Sequence, residues 1–117
     1  MTTLLSKQAI LSAPDIKIKD VQVPEWEGTV RVSTLSGAAR DKFTKSMILD
    51  DGKPDTSDYR QRMVAACIVG EDGLRLFSDD EVAALGGKSA AAIDRVFAAA
   101  ESLNKIGPDA VAEAEGN

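Results

Sequence analysis

The sequence predicts a single α+β domain: an N-terminal antiparallel β-hairpin packed against four to five helices. Three observations carry that expectation. Val21 and Val23, then Val30 and Val32, alternate with polar residues on either side of Glu25-Trp26-Glu27-Gly28. Period-two alternation across a Gly-containing stretch marks a hairpin with one buried face. Further on, apolar residues recur at helical spacing, most cleanly between Lys88 and Asn104. A lone hairpin is only marginally stable in water, so those helices must cover its apolar face. At 117 residues the chain fits one domain. It is expected over 15–106, between an N-terminal helix or arm (1–14) and a flexible Ala/Glu-rich tail (107–117).

Taken in order, Leu4, Leu5, Gln8, Ile10 and Leu11 give a weak periodic face, closed by Ala13-Pro14. A short helix and a loosely docked arm both fit it. The hairpin follows over about 16–23 and 29–33. Pro24 donates no backbone hydrogen bond, so it belongs where the first strand leaves the ladder. Ser36 suits the N-cap of a helix reaching about residue 49, with Ala39, Phe43 and Met47 on one stripe and Arg40, Asp41, Lys42 and Lys45 around the rest. Asp50-Asp51-Gly52-Lys53-Pro54 is a loop. Thr56, Ser57 or Asp58 caps a helix over about 58–68, with Tyr59, Met63, Ala66 and Cys67 inward and Val64 and Ile68 at its border. A small hairpin of Ile68-Val69 with Leu74–Leu76, turning at Gly70-Glu71-Asp72-Gly73, competes with the end of that helix. Ser78-Asp79-Asp80-Glu81 has the form of a capping box, with Phe77 and Val82 placed for the hydrophobic staple. That short helix ends at Gly86-Gly87. The last helix, over 88–104, lines Ile93, Val96, Phe97, Ala100 and Leu103 on one face until Gly107-Pro108 stops it.

Composition narrows function by exclusion. Aromatic residues make up 4% of the chain, so Val, Leu, Ile, Met and alanine must build the core. A net charge of −5 argues against nucleic acid, which calls for clustered Lys and Arg, and discourages contact with anionic membranes. Lys17 and Lys19, the main local basic bias, are diluted by Asp15 and Asp20. One cysteine makes no internal disulfide. No basic-then-apolar leader opens the chain and no run reaches transmembrane length, so the cytoplasm is the expected compartment.

Catalytic chemistry is sparse. With no histidine, the commonest general base and metal ligand is missing. Cys67 lies in an apolar run, Val64-Ala65-Ala66-Cys67-Ile68-Val69, where it reads as a small hydrophobe. The carboxylate pairs at Asp50-Asp51, Glu71-Asp72 and Asp79-Asp80-Glu81 sit where turns and helix starts favour acids without any catalytic need. The Asp50–Asp55 loop lacks the alternating ligands and distal Glu of a calcium loop. Gly87-Lys88-Ser89 matches the end of a P-loop, but the glycine required five residues earlier is Val82. A helix-turn-helix at Gly86-Gly87 would present Ser89 and Ala90–Ala92 to DNA after an acidic helix, which is a poor reader. No catalytic, cofactor-binding or metal-ligating residue is assigned. What remains is interaction, for which Trp26 at the hairpin tip and Ile93, Val96 and Phe97 on the last helix are the candidate partner-binding residues.

The order of features resembles the small tail assembly chaperones of long-tailed bacteriophages and prophages. The resemblance rests on Val-Pro-Glu-Trp at Val23–Trp26, Val-Arg-Val at Val30–Val32 and Leu-Ser-Gly-Ala at Leu35–Ala38. It continues through an acidic-Asp-Gly turn at Glu71–Gly73, Phe-Ser-Asp at Phe77–Asp79 before a Val-containing short helix, Lys-Ser-Ala at Lys88–Ala90 and Ala-Glu-Ser-Leu-Asn at Ala100–Asn104. The span is roughly 15–104, and no functional residue carries over from it. The resemblance implies a non-enzyme made during virion assembly and absent from the finished particle. Its implied partners are the tape measure protein, an apolar helical client kept soluble, and the tail tube protein recruited to it. Self-association is a further expectation of the alanine-rich, aromatic-poor core. Such genes also make a longer form by translational frameshifting, and the tail here suits the short form. A structural tail or head–tail joining subunit is the alternative reading.

Overall fold

Residues 3–104 are described by a computed structural model, and the sheet is the element on which the helices are assembled. Strands β1 (Ile18–Val23) and β2 (Gly28–Ser33) pair antiparallel, with Val21 opposite Val30 and Lys19 opposite Val32. This register gathers all four valines on one face. Val23 and Val32 are fully buried, and Val21 and Val30 pack beside them. The other face is polar: Asp20 sits opposite Arg31, whose Nε donates to Asp20 Oδ1 at 2.8 Å.

At the tip, Pro24 opens a single 3-10 turn, Pro24–Trp26, a place where its missing N–H leaves nothing unpaired. The left-handed residue of the connection is Glu27 (φ 54°), whereas Gly28 is already the first residue of β2. A side chain in that region costs about 1 kcal/mol. The Glu27 N–H offsets part of it by donating to Pro24 O at 3.0 Å.

The N-terminal segment forms helix α1 (Lys7–Ser12), capped by Ser6 Oγ, which accepts from Ala9 N. It buries none of its residues, and Leu4, Leu5, Ile10 and Leu11 are all exposed. Helix α2 (Gly37–Ser46) starts where expected, with Ser36 Oγ accepting from Ala39 N at 3.1 Å. It ends short of residue 49 because the loop closes on itself: Leu49 N donates to Lys53 O and Ile48 pairs with Pro54 across a left-handed Gly52.

Helix α3 (Tyr59–Cys67) is the central helix, contacted by α2 and by the two helices that follow. Its burial is therefore wider than one stripe. Met63, Val64, Ala65 and Cys67 are all buried, so Val64 is core and not border, while Ala66 is only half-buried. Asp58 caps it from a left-handed conformation without a side-chain hydrogen bond. The chain then runs straight into β3 (Ile68–Val69), which pairs Val32 with Ile68 and Arg31 with Val69 to give a sheet of order β1-β2-β3. The competing small hairpin also exists in reduced form: Leu76 N donates to Ile68 O at 3.1 Å and Val69 bridges Arg75.

Glu81 Oε1 accepts from Ser78 N at 2.9 Å, the acidic half of the expected capping box, and the first turn is 3-10 (Asp79–Glu81) before α4 (Val82–Gly86). Ser89 Oγ accepts from Ala92 N and starts α5 (Ala90–Asn104), which lies across the valine face of β1 and β2. Its buried residues are Ala92, Ile93, Val96, Ala99 and Ala100. The Gly107-Pro108 stop and the tail expected over 107–117 lie outside the described residues. Met63 is the largest fully buried side chain at the junction of these layers. Met63→Ala is expected to lower unfolding free energy by about 2–5 kcal/mol, read as a reduced urea midpoint at unchanged slope.

Candidate interaction surface

Of the four residues singled out from sequence, two are structural. Ile93 is 4% exposed and Val96 fully buried, both in the cluster with Val23, Val32 and Met63, so neither presents a surface to a partner in this state. Phe97 is half-buried on the next turn of α5. It meets the ring of Tyr59 edge-on at 5.6 Å, and Tyr59 in turn lies 6.0 Å from Phe43 of α2. The Arg60 guanidinium stands over the Phe97 ring at 5.8 Å and pairs with Asp94. This aromatic string is what joins α2 to α5 through α3.

Trp26 packs half-buried against the core. The hairpin tip is folded back and tied down by its neighbour: Arg95 of α5 donates to both carboxylate oxygens of Glu25, at 3.0 and 3.3 Å. The Trp26 indole N–H is enclosed there and, among the described residues, has no hydrogen-bond partner. An orphaned donor costs about 1–3 kcal/mol, so packing of the ring, and not its polar end, holds this side chain. The structure thus brings Trp26 and α5 together, but through the core.

A surface that periodicity did not reveal lies between α2, α3 and α4. Helix α2 buries no residue fully, and its Phe43 and Met47 are only half-covered. Polar ties at its two ends add to the Phe43–Tyr59 contact. Leu35 N, just before its cap, donates to Asn104 Oδ1 at 2.7 Å. At its far end Arg62 of α3 donates to Ser46 O at 2.9 Å and to Asp55 Oδ2 at 3.0 Å. Between α2, α3 and α4 this arrangement leaves a cleft of about 380 Å³, with Leu35, Phe43, Ala66 and Val82 as apolar lining and Lys42 and Arg62 among the polar residues. Apolar lining with a charged border is how a groove accepts the side of an amphipathic helix. The sequence did hold one sign of it: only three apolar residues recur along α2, too few for a fully buried stripe.

The reactive groups are elsewhere and quiet. Burial pushes the Cys67 thiol up to about 11, and Asn104 Nδ2 lies 3.6 Å from its Sγ. Among the described residues no group of three or more His, Cys, Asp or Glu side chains is placed to hold a metal ion. Nor is any described helix long and apolar enough to cross a membrane.

A three-stranded antiparallel sheet covered on one face by a long helix defines an α+β fold. It is shared with a solved structure, the tail assembly chaperone of bacteriophage HK97, which superposes with a TM-score of 0.59 over 86% of this chain and 94% of that one, at 20% identity. The resemblance carried by the ordered sequence motifs therefore extends to the fold. No family model and no curated protein matches the chain.

Two outcomes follow from the local chemistry. The hydrogen bonds from Arg95 hold the Glu25 carboxyl below its ordinary 4.5, helped by a backbone hydrogen bond. A depressed folded value stabilises above the unfolded pKa and loses that contribution as pH falls through the folded one. Thermal melts from pH 6 downward should therefore show a smaller loss below about pH 4.5 in Glu25→Gln than in the parent. Equal losses would mean that the tip is not pinned by this pair. Cys67, for its part, should resist alkylation at pH 8 in the native protein and react at once in urea.

Proposed function

We propose that this protein is a non-enzymatic tail assembly chaperone of a long-tailed bacteriophage or prophage, working in the host cytoplasm and absent from the mature virion. In this reading it binds the tape measure protein, keeps that apolar helical client soluble and helps recruit tail tube subunits. The shared fold with the HK97 tail assembly chaperone is the observation that carries it. Ordered motifs from Val23 to Asn104 add sequence support to the fold. The cleft beside Phe43 supports it physically, since its apolar lining at Leu35, Phe43, Ala66 and Val82 lies next to charged residues, a combination that suits an amphipathic helix. Phe97 and Trp26 pack half-buried against the core and remain secondary contact candidates; Ile93 and Val96 would take part only by supporting them. Self-association fits the exposed leucines and isoleucine of the N-terminal arm.

The same exposed arm, with Leu74 and Leu76, favours a second reading, a structural tail or head–tail joining subunit that keeps those patches covered permanently. Co-expression with a tape measure protein discriminates them when combined with mass spectrometry of purified particles. The chaperone reading expects a soluble complex during assembly and none of this chain in particles. Phe43→Asp should reduce recovered complex on the order of tenfold or more while the melting curve stays cooperative. Recovery of the chain at stoichiometric amounts in particles would transfer the assignment to the structural subunit, and an insoluble client at every expression ratio would sink the chaperone reading.

A further inference from the structure

The cleft between α2, α3 and α4 has walls of unequal charge, and the inequality selects what can lie in it. Ala39, Lys42, Phe43 and Ser46 form its α2 wall, and Val82 and Ala83 the uncharged wall on α4. Lys42 also lines a second, shallower cleft with Asp41, Thr44, Lys45 and Ile48. It is therefore the ridge between the two, and Lys45, three residues on, continues that ridge. Both lysines are exposed.

The guanidinium groups at the cleft are already matched, Arg62 by Asp55 and Arg75 by Asp79. Lys42 and Lys45 take part in none of the ion pairs among the described residues. Two further carboxylates stand near, Asp58 on the α3 wall and Asp41 in the shallower cleft, and neither is paired with a lysine there. In a chain of net charge −5, the rim of α2 is thus a local positive edge beside an apolar lining.

Leu35 and Ser46, which flank the start and end of α2, both line the cleft, so it runs the length of that helix, about 15 Å or three turns. A partner helix laid along it sets an apolar stripe on Leu35, Phe43, Ala66 and Val82. The residues on one flank of that stripe then face Lys42 and Lys45, and those on the other flank face Val82 and Ala83. An acid on the first flank meets an unmatched ammonium, whereas a base there is repelled by two. Nucleic acid is a poor occupant, because two lysines beside Asp58 and Asp79 do not track a phosphate backbone.

We propose, on the reading of this cleft as the client site, that the segment it holds is an amphipathic helix with acidic residues along one flank of its apolar stripe, set against Lys42 and Lys45. Burial of the stripe supplies the affinity. Exposed ion pairs are individually weak, so the lysines act on which helix is accepted. They also set its direction. Turned end for end with its stripe still down, the same helix carries its acids to the uncharged α4 wall and loses both pairs.

The probes are two synthetic helical peptides of about 18 residues, or five turns, sharing one leucine stripe and differing only in Glu or Lys along one flank. Each is titrated into the full isotope-labelled chain and followed through the backbone amides. At about 0.01 M salt the Glu peptide should shift the amides of Phe43, Ser46, Ala66 and Val82 and bind on the order of tenfold more tightly than the Lys peptide. The ratio should shrink towards one at about 1 M salt. The exposed double variant Lys42→Glu, Lys45→Glu should keep the parent melting temperature and invert the preference, and Phe43→Asp should weaken both peptides. Equal affinities, a preference that survives charge reversal, or shifts confined to other surfaces overturns the proposal. So does displacement of the Glu peptide by an equal concentration of mixed-sequence duplex DNA. Co-expression with a tape measure protein separates this inference from the chaperone reading. A complex lost in Phe43→Asp but kept at parent yield in the double lysine variant overturns the acidic flank alone, whereas no complex with the parent chain overturns the chaperone reading.

Discussion

Everything in this fold depends on burying the valine face of one hairpin beneath one helix. Val23 and Val32 lie in a common cluster with Ile93 and Val96, and each is almost wholly removed from water. Burial of such a side chain contributes about 1.5–3 kcal/mol. Four of them across one seam supply the favourable energy that a two-stranded ribbon lacks. Alanines at 92, 99 and 100 let α5 approach closely, so the seam is made with small residues and few aromatics. Helix α3 then fills the remaining side with Met63 and Val64 and extends the sheet by running directly into β3.

That economy has a consequence at the surface. The core is built from Val, Ala, Met, Cys and two isoleucines, and Leu85 is the leucine fully within it. Leu4, Leu5, Leu11, Leu49, Leu74 and Leu76 stand outside, each at least 48% exposed. Scattered single apolar residues on a surface need no explanation, but the N-terminal arm groups them. Helix α2 shows the same frugality in another form. It is fastened at its ends by Asn104 and Arg62 instead of along a buried stripe, which is why a groove survives beside Phe43.

The candidate surface was only partly legible from residues. Trp26 and Phe97 stand out in the sequence because aromatics at a loop tip and on a periodic face are visible as such, and both are half-buried in the structure. Ile93 and Val96 drew notice by the same periodicity, yet periodicity marks burial without saying whether the cover is another chain or the protein's own sheet. The groove is a different case. It is a gap between α2, α3 and α4, and no single segment encodes a gap.

The sequence by itself determined the local elements: valine alternation the hairpin, Ser36 and Ser78 the helix starts, Pro24 the strand exit, Gly86-Gly87 the break before α5. These are legible because backbone preference and capping act over a few neighbouring residues. Tertiary structure alone decided that Ile68-Val69 would join β2, that Val64 would be core, that Glu27 would take the left-handed position, and that Glu25 would find Arg95. Each depends on residues distant in the chain or on how a turn must close to bring them together. Period and propensity are silent about such partners, because the free energy that selects them exists only once both sides are packed.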